Sequence, residues 1–388
     1  MNTFDFDAPV DRTGTHSARW EKYAGRDVIP LWVADTDFRA PPAVIDALRR
    51  RVEHGVFGYS TPPPQLRELI VERMARLYGW KVSPEWIVYL PGVVSALYMA
   101  ANRLTAPDEH VLTPGPVYYH LFRAAQSAPR PWTEVPLVID RGRWVWEESR
   151  LAAAVRPESR LLMLCNPHNP GGTIFRRDEL ERLAALALKH GLQVCSDEIH
   201  CDLLLDEGKP HIPIASLGSE ISRRTVTVMA PSKTFNIAGS GIAFAIIEDA
   251  AMRAAFSYDL KKSVHDAPLF AYEAAVAAYR DGGAWLAAQI DYLRGNCALV
   301  ETTVKRLPGV ETAHLEATYL SWIDCSGLGL DDPHAHFLAH GLGLSPGADF
   351  GAPQFVRLNF GTQRKVLRDA MQRFERAVRA APVNQGAR

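Results

Sequence analysis

The sequence predicts an α/β fold, in which a mostly parallel sheet is covered on both faces by helices and is followed by a smaller α+β domain. Short, continuously apolar runs alternate with amphipathic helical stretches through the middle of the chain. This alternation is typical of parallel strands that are buried on both faces. A helical stretch from Ala271 through Val300 then leaves the layer. Strands and helices interleave again after it, which predicts the second domain.

The beginning of the chain predicts an arm rather than a folded layer, because residues 1–45 are rich in polar and aromatic side chains and weakly periodic. We predict that this arm packs with the small domain, which spans 285–388, and that the large domain spans 46–284. Apolar residues at helical spacing predict one helix from Pro42 to about His54 and another from Leu66 to Tyr78.

Short apolar runs and periodic stretches predict the remaining elements. In the large domain, strands are predicted near Trp86–Leu90, His110–Thr113, Leu161–Cys165, Val194–Ser196, Val226–Ala230 and Ile242–Ile247. The helices between them are predicted near Val94–Leu104, Tyr119–Gln126 and Arg177–His190. In the small domain, strands are predicted near Val310–Ala313, Tyr319–Ile323 and Phe355–Leu358, and helices near Pro333–Ala339 and Arg364–Arg379. The end of the chain, Pro382–Arg388, is predicted to be frayed.

Composition excludes several classes of function. The 388 residues are 47% hydrophobic and 22% charged, with a net charge of -1, which gives no basic surface for nucleic acid. No apolar run approaches the roughly 20 residues that cross a bilayer, and the N-terminus lacks the apolar segment of a secretory signal. The five cysteines have no CxxC spacing and predict buried thiols in a reducing compartment. We therefore expect a cytoplasmic protein without a membrane or nucleic-acid partner.

The stretch from Thr225 to Gly241 carries the strongest functional signal. It begins as a buried strand, breaks at Pro231, and places Lys233 on a loop among small and hydroxylated residues. Open α/β sheets bind ligands just beyond such strand ends. Most loop lysines are simply solvated, but only nine of the 43 basic residues in this chain are lysines. Because a lysine shielded from water has a lowered pKa and can form a Schiff base, we predict that Lys233 is catalytic.

Three other strand ends carry polar groups. The turn before Ser95 leads into a helix whose free N–H groups would bind an anion, although such a turn alone is a weak signal. Asn169 lies in a loop stiffened by two prolines and two glycines, where it either faces a ligand or caps the turn. Asp197 ends a buried strand and needs a partner, either a protonated ring nitrogen or an arginine.

Together these strand ends supply an amine, a carboxylate, an amide and a helix N-terminus. The set matches pyridoxal 5′-phosphate, with lysine for the aldehyde, aspartate for the pyridine nitrogen, asparagine for the phenolic oxygen and the helix start for phosphate. The GxGxxG and GxxxxGK[ST] motifs of nucleotide sites do not occur in the sequence. Taken alone, His200 is a poor candidate, and Glu198 and Asp202 are expected to form structural ion pairs.

Six motifs extend this match over nearly the whole chain: Trp32–Phe38, Asn166–Gly172, Asp197–Asp202, Ser232–Gly239, Glu316–Leu320 and Phe355–Gly361. In these motifs the chain resembles the fold-type I pyridoxal-phosphate enzymes of the class I/II aminotransferase superfamily. More narrowly, it is similar to the MalY/PatB-type cystathionine β-lyases, or cysteine C–S lyases. The resemblance implies an aspartate-aminotransferase-like fold and a homodimer whose active sites are shared across the interface.

The resemblance also implies a role for individual residues around the cofactor ring. Lys233 would hold the cofactor covalently, Asp197 would pair with the pyridinium nitrogen, and Asn169 would contact the phenolic oxygen. His200 would lie near the same oxygen or near Asp197. Tyr118 would stack on the ring, although the motif around it is longer than usual and leaves Tyr119 as the alternative.

The remaining implied roles concern the phosphate and the substrate. The phosphate would be held by the N–H groups of Val93, Val94 and Ser95, by the Ser232 hydroxyl, and by Tyr59 from the neighbouring subunit. No arginine follows Lys233 closely, so we expect no additional cation at the phosphate. Arg357 would bind the substrate α-carboxylate through its guanidinium fork. Ala34 and Tyr59 would complete the substrate site.

The implied reaction is β-elimination, in which cystathionine or another cysteine S-conjugate gives a thiol, pyruvate and ammonia. An aminotransferase for aromatic or neutral amino acids is the alternative, since it would use the same residues. A third possibility is a regulatory or binding protein that carries the cofactor. The presence of Lys233, Asp197 and Arg357 favours catalysis over this third role. The sequence does not determine which thiol leaves.

Overall fold

The computed structural model describes residues 4–382. The predicted frayed end therefore lies outside the described residues from position 383 onward. In the described part, the strands are β1 (Ile29–Pro30), β2 (Ile87–Leu90), β3 (His110–Gly115), β4 (Trp132–Asp140), β5 (Arg143–Trp146), β6 (Ser159–Cys165), β7 (Gln193–Asp197), β8 (Thr225–Met229), β9 (Ala243–Ile246), β10 (Glu311–Thr312), β11 (Leu320–Asp324), β12 (Leu342–Gly343), β13 (Ser345–Pro346) and β14 (Phe355–Asn359).

The helices include several that match the predicted spans to within two residues. They are α1 (Ala18–Glu21), α2 (Pro42–His54), α3 (Pro64–Tyr78), α4 (Val93–Arg103), α5 (His120–Ser127), α6 (Glu148–Ala154), α7 (Arg177–Lys189), α8 (Ser219–Ser222), α9 (Pro231–Thr234), α10 (Ala250–Phe256), α11 (Leu269–Asp281), α12 (Gly283–Lys305), α13 (Pro333–Ala339) and α14 (Arg364–Ala380). None of these described helices combines the length and apolarity that crossing a membrane would require.

The main sheet has eight strands in the order β2-β9-β8-β7-β6-β3-β4-β5. Its centre, from β8 through β4, is parallel, while β9 and β5 run antiparallel to their neighbours. Successive side chains of β6 point to opposite faces of the sheet, and each face is covered by helices. Leu161 and Met163 join the apolar cluster that includes α4, while Leu162 and Leu164 join the cluster that includes α7. The predicted α/β architecture is confirmed.

A smaller antiparallel sheet, in the order β10-β11-β14-β13, forms the C-terminal part of the fold. The N-terminal segment is tied to this part, because β1 pairs in parallel with β12. This pairing agrees with an arm that packs on the small domain, while the three-part division of the chain stays a prediction.

The structure corrects three details of the predicted elements. The strands β4 and β5 and the helix α6 were not predicted. The side chains of β4 alternate between buried and exposed, β5 has only four residues, and Leu151 is the buried residue of α6. The stretch from Ala271 through Val300 is two helices, which meet at Gly282. Lys233 was predicted on a loop, but it lies in the one-turn helix α9, which begins at Pro231.

Candidate active site

A cavity of about 460 Å³ opens beyond the carboxyl ends of the central parallel strands. The strand register builds it, because Cys165 on β6 lies opposite Asp197 on β7, and Asp197 lies opposite Val228 on β8. The segments that leave these three strands therefore begin side by side. Eleven of the predicted site residues line this one cavity: Ala34, Val93, Val94, Ser95, Tyr118, Asn169, Asp197, His200, Ser232, Lys233 and Arg357.

Lys233 projects into the cavity from α9, one turn beyond the end of β8. Its Nζ donates a hydrogen bond of 2.6 Å to the carbonyl oxygen of Ala34 in the N-terminal segment. No carboxylate of the described residues forms an ion pair with this amine. Burial lowers the pKa of Lys233 to about 8, against the opposing influence of Asp35. The neutral, nucleophilic form of the amine is therefore a larger fraction near neutral pH than it is for an exposed lysine.

Asp197 is a buried carboxylate that has no cationic partner among the described side chains. Its Oδ1 accepts a hydrogen bond of 3.2 Å from the backbone N–H of Ile199. Burial raises the pKa of Asp197 to about 7, and Glu198 adds to the rise. A buried carboxylate with a raised pKa is stabilised when a cation arrives beside it. The site at the end of β7 therefore fits a protonated ring nitrogen.

Arg357 extends from β14 into the same cavity and is also without an ion-pair partner in residues 4–382. Its Nη1 donates to Asn169 Oδ1 at 3.0 Å. Its Nη2 donates to the Trp32 carbonyl oxygen at 2.9 Å and to Ser345 Oγ at 3.2 Å. Burial lowers its pKa to about 10. A buried guanidinium fork without a carboxylate is ready to bind an anionic ligand.

Asn169 connects Arg357 to the rigid loop that follows β6. The loop is closely packed, because a β-carbon at Gly171 would come within 2.5 Å of Trp144. Its backbone also fixes Tyr118, whose N–H donates to the Asn169 carbonyl oxygen at 2.9 Å. Asn169 thus contacts Arg357 through its side chain and Tyr118 through its backbone.

Tyr118 and Tyr119 both line the cavity, with ring centroids 4.8 Å apart. Burial raises the pKa of Tyr118, and the charges of Asp197 and Arg357 both act on its hydroxyl. Arg357 interacts with both tyrosines, whereas Asp197 acts on Tyr118, and this proximity to Asp197 favours Tyr118 over Tyr119 for stacking. His200 lies nearby, and burial lowers its pKa to about 3, so the imidazole is neutral.

One end of the cavity is formed by the first turn of α4, where Val93, Val94 and Ser95 begin the helix. The first N–H groups of a helix have no partners within the helix and attract anions. Ser232 lines the cavity as well. Besides Lys233 and Arg357, no lysine or arginine lines the described cavity. The expectation that the phosphate has no additional cation stays a prediction.

The structure does not bring Tyr59 into this cavity. Tyr59 lies on the segment between α2 and α3 and is fully exposed, at 112%. Because its predicted role is on a neighbouring subunit, the single chain does not test it.

Several lining residues were not predicted from the sequence as site residues. They are Trp32, Val33, Ile199, Ser345, Asp349 and Phe350, together with the glycines and apolar residues of the turns. Trp32 and Ile199 lie within two motifs that were recognised, so proximity to those motifs was a signal. Ser345, Asp349 and Phe350 lie on an irregular segment without periodicity or motif, and no local signal marks them.

The charged residues behind the cavity are structural, as expected for two of them. Asp202 forms a 2.7 Å ion pair with Arg73, and both side chains are buried. Glu198 pairs with an imidazole rather than an arginine, because its Oε2 lies 2.7 Å from His211 Nε2. The buried position of all five cysteines as free thiols agrees with their predicted role in the core. No group of three metal-ligating side chains occurs within the described part of the chain.

Comparison with known proteins gives consistent matches over almost the full length. The model of the family "Aminotransferase class I and II" matches residues 26–374. Cystathionine beta-lyase PatB of Bacillus subtilis is 39% identical over 386 residues, which cover 96% of this chain and 100% of that protein. The crystal structure of OvoB is 47% identical with a TM-score of 0.96, covering 97% of this chain and 100% of that one. Cystalysin from Treponema denticola, which contains pyridoxal 5′-phosphate, is 29% identical with a TM-score of 0.92, covering 97% and 99%.

Proposed function

The chain belongs to the aminotransferase class I and II family, and from this premise we propose that it is a pyridoxal 5′-phosphate-dependent C–S β-lyase. It cleaves cystathionine or a related cysteine S-conjugate to a thiol, pyruvate and ammonia. One observation carries the proposal: the half-buried Lys233 and the buried Asp197 and Arg357 lie in one cavity, each without an ion-pair partner among the described residues. Such unpaired buried charges are costly unless a ligand completes them.

Pyridoxal 5′-phosphate fits these residues group by group. The Lys233 amine would bond to its aldehyde carbon, Asp197 would pair with its ring nitrogen, and Asn169 would contact its phenolic oxygen. Tyr118 would stack on the ring, with the neutral His200 beside Asp197 or the phenolic oxygen. The N–H groups of Val93, Val94 and Ser95 and the Ser232 hydroxyl would hold the phosphate.

When bound, this cofactor acts as an electron sink for negative charge at the Cα of an attached amino acid. The protein supplies the orientation and the proton transfer. Arg357 would bind the α-carboxylate with two guanidinium donors, next to the Ala34 backbone. Lys233 Nζ would then accept the proton from Cα, as its lowered pKa allows. Asp197 would keep the ring nitrogen protonated through its negative charge.

The elimination breaks two bonds of the substrate, Cα–H and Cβ–S. The pair of the Cα–H bond forms the Cα–Cβ double bond, and the pair of the Cβ–S bond leaves with sulfur as a thiolate. The enamine product then hydrolyses in water to pyruvate and ammonia. The name of the Bacillus subtilis relative, a cystathionine beta-lyase, favours this reaction over transamination.

We further propose that the protein is a homodimer in which Tyr59 reaches the partner's phosphate site. Four large apolar side chains around this position are exposed in the single chain: Val52, Val56, Phe57 and Tyr59. Contiguous exposed apolar residues mark an interaction surface. The same segment would then help to line the partner's substrate site.

We also propose that the protein acts in the cytoplasm. The support is its cysteine chemistry, since all five cysteines are buried free thiols in the described structure. Thiols persist in a reducing compartment, whereas secreted proteins usually carry disulfides.

The test is to incubate the purified protein with L-cystathionine and to measure thiol, pyruvate and ammonia together. The lyase releases all three in equal amounts, and Lys233→Ala loses both this activity and the visible absorbance of the bound cofactor. Lys189→Ala, a change on the exposed face of α7, is the matched control and keeps both. Conversion of the cofactor to its amine form without pyruvate would instead identify an aminotransferase. Failure to bind the cofactor at all would contradict both enzymatic functions.

A further inference from the structure

Among the charged residues that line the cavity, one carboxylate has no role in the proposed reaction. The lining includes two cations, Lys233 and Arg357, and two carboxylates, Asp197 and Asp349. The proposed function pairs Lys233 with the aldehyde, Asp197 with the ring nitrogen and Arg357 with the substrate carboxylate. Asp349 is left over. Its charge therefore faces the cavity without a partner from the cofactor or from the common amino-acid part of the substrate.

The position of Asp349 is defined by the packing of its neighbour. It lies on the short 3-10 turn Gly347–Phe350, which follows β13. Phe350 is buried beneath this turn, with its ring centroid 5.2 Å from that of Trp322 and 6.4 Å from that of Tyr119. Asp349 itself is exposed at the cavity, and no hydrogen bond or ion pair with the described residues engages its carboxylate. Its charge acts at longer range on Arg357 and His334.

Three of the four aromatic residues that line the cavity already have cations of their own, and the fourth, Tyr118, is assigned to the cofactor ring. The Arg357 guanidinium lies 4.7 Å from the Phe350 centroid, and Arg123 lies 4.5 Å from the Tyr119 centroid. On the third ring, Trp32, the Lys22 amine lies at 4.4 Å. A cation that enters the cavity as part of a substrate therefore has Asp349 as its remaining partner. An anionic group in the same place would be repelled.

The inner part of the cavity is taken by the cofactor and by the amino-acid part of the substrate. The exposed rim that carries Asp349 is left for the group beyond the sulfur atom. We propose that Asp349 selects cysteine S-conjugates whose leaving thiol bears an ammonium group. This inference rests on the proposed lyase function and names its substrate class.

A pair of isosteric substrates tests the proposal. S-(2-aminoethyl)-L-cysteine and S-propyl-L-cysteine have nearly the same shape and differ by one ammonium group. In the cofactor-loaded wild-type protein, we expect kcat/KM for pyruvate release to favour the aminoethyl conjugate on the order of fivefold, as for a partly exposed ion pair. In Asp349→Asn the preference disappears, and in Asp349→Lys it reverses.

The control variant is Glu134→Gln. The Glu134 carboxylate lies close to Gly351, two residues beyond Asp349, but Glu134 does not line the cavity. Glu134→Gln removes one negative charge near Asp349 but outside the cavity. The wild-type preference for the aminoethyl conjugate should therefore persist in this variant. Equal loss of activity toward both conjugates in Asp349→Asn would overturn the proposal and assign Asp349 to the positioning of Arg357. A wild-type protein without any preference would overturn it as well.

The proposal can fail separately from the lyase function. Titration of the cofactor absorbance with each conjugate gives a dissociation constant that does not depend on C–S cleavage. If neither conjugate yields pyruvate, the lyase function fails, and the ratio of the two dissociation constants still tests Asp349. A ratio near one in the wild type, with pyruvate formed from both, would reject the role of Asp349 while the lyase function stands.

Discussion

The amine of Lys233 is hydrogen-bonded to the carbonyl oxygen of Ala34 at 2.6 Å, so the proposed catalytic residue is held by the N-terminal segment. The same oxygen accepts a hydrogen bond from the Tyr319 hydroxyl at 3.1 Å. The Asn359 amide fixes this segment further, by donating to the Asp35 carbonyl oxygen at 2.7 Å. The arm therefore forms a wall of the site and also restrains the position of the amine.

Capture of the cofactor by the cofactor-free protein should depend on pH with a midpoint near 8. Burial lowers the pKa of Lys233 to about 8, and only the neutral amine attacks an aldehyde. The rate at which visible absorbance develops should therefore rise with pH through this value. Stopped-flow mixing with pyridoxal 5′-phosphate measures it, with Lys189→Ala as the unchanged control. A midpoint near the ordinary lysine pKa of 10.5 would contradict the buried environment of the amine.

Asp197→Asn should lower the activity of the protein and raise its stability above pH 7. Without its carboxylate, the variant cannot keep the ring nitrogen protonated, so we expect kcat to fall on the order of a hundredfold. The folded-state pKa of Asp197 is raised from 3.8 to about 7 by burial. Between these values the folded protein binds more protons than the unfolded chain, so its stability falls as pH rises.

Asparagine removes this pH-dependent loss. The cofactor-free Asp197→Asn variant should therefore be more stable than the cofactor-free wild type above pH 7, by up to about 4 kcal/mol. Below pH 4 the two should be similar. Urea unfolding at the two pH values measures the difference. A variant that is destabilised at high pH would show that the Asp197 charge already has a partner in the free protein.

Arg357→Lys should weaken substrate binding but not cofactor binding. Lysine keeps a positive charge but loses the fork that now bonds Asn169, Ser345 and the Trp32 carbonyl oxygen. Because a charge-assisted bidentate pair loses at least one hydrogen bond, we expect KM for the amino acid to rise by about tenfold to a hundredfold. Steady-state kinetics and a parallel cofactor titration separate the two effects. An increase confined to the cofactor dissociation constant would place Arg357 at the phosphate instead.

The residues at the strand ends could be predicted because each carries a local signal. Asn169, Asp197 and Lys233 follow apolar runs that are too hydrophobic to be anything but buried strands. Parallel pairing of β6, β7 and β8 then brings them together, since the carboxyl ends of parallel strands share one edge of the sheet.

The small-domain wall of the site could not be predicted in the same way. Arg357 taken alone is an arginine on a strand, and only the resemblance to a family marked it. Ser345 and Asp349 lie between β12 and β14, where strands of two residues leave no periodic pattern. These residues reach the cavity through the packing of the two sheets and the arm, which is a long-range property. The strand β4 and the edge strand β5 were also missed, because β4 alternates between buried and exposed side chains and β5 has only four residues.

The buried ion pair between Arg73 and Asp202 should be coupled to the helix that carries Lys233. Asp202 Oδ1 lies 2.7 Å from Arg73, and its Oδ2 accepts a 3.0 Å hydrogen bond from Thr234, the residue after Lys233. Arg73→Met leaves the carboxylate buried and unpaired, so we expect a loss of about 3 to 5 kcal/mol. Adding Asp202→Asn should recover part of this loss. Urea unfolding of the four proteins in the cycle measures the coupling; additive effects would show that the two residues act independently.

Mixing Lys233→Ala with Tyr59→Ala should restore activity at limiting cofactor if the active sites are shared. Tyr59 is fully exposed in the single chain, and we propose that it reaches the partner's phosphate site. A dimer of one Lys233→Ala chain and one Tyr59→Ala chain then has one site with both substitutions and one with neither. Subunit exchange between the separately purified variants should therefore recover pyruvate release at limiting cofactor, where Tyr59→Ala alone binds the cofactor weakly. Lys233→Ala mixed with a chain that carries both substitutions is the control and stays inactive. Absence of recovery despite verified exchange, or full cofactor affinity of Tyr59→Ala, would place Tyr59 outside the site.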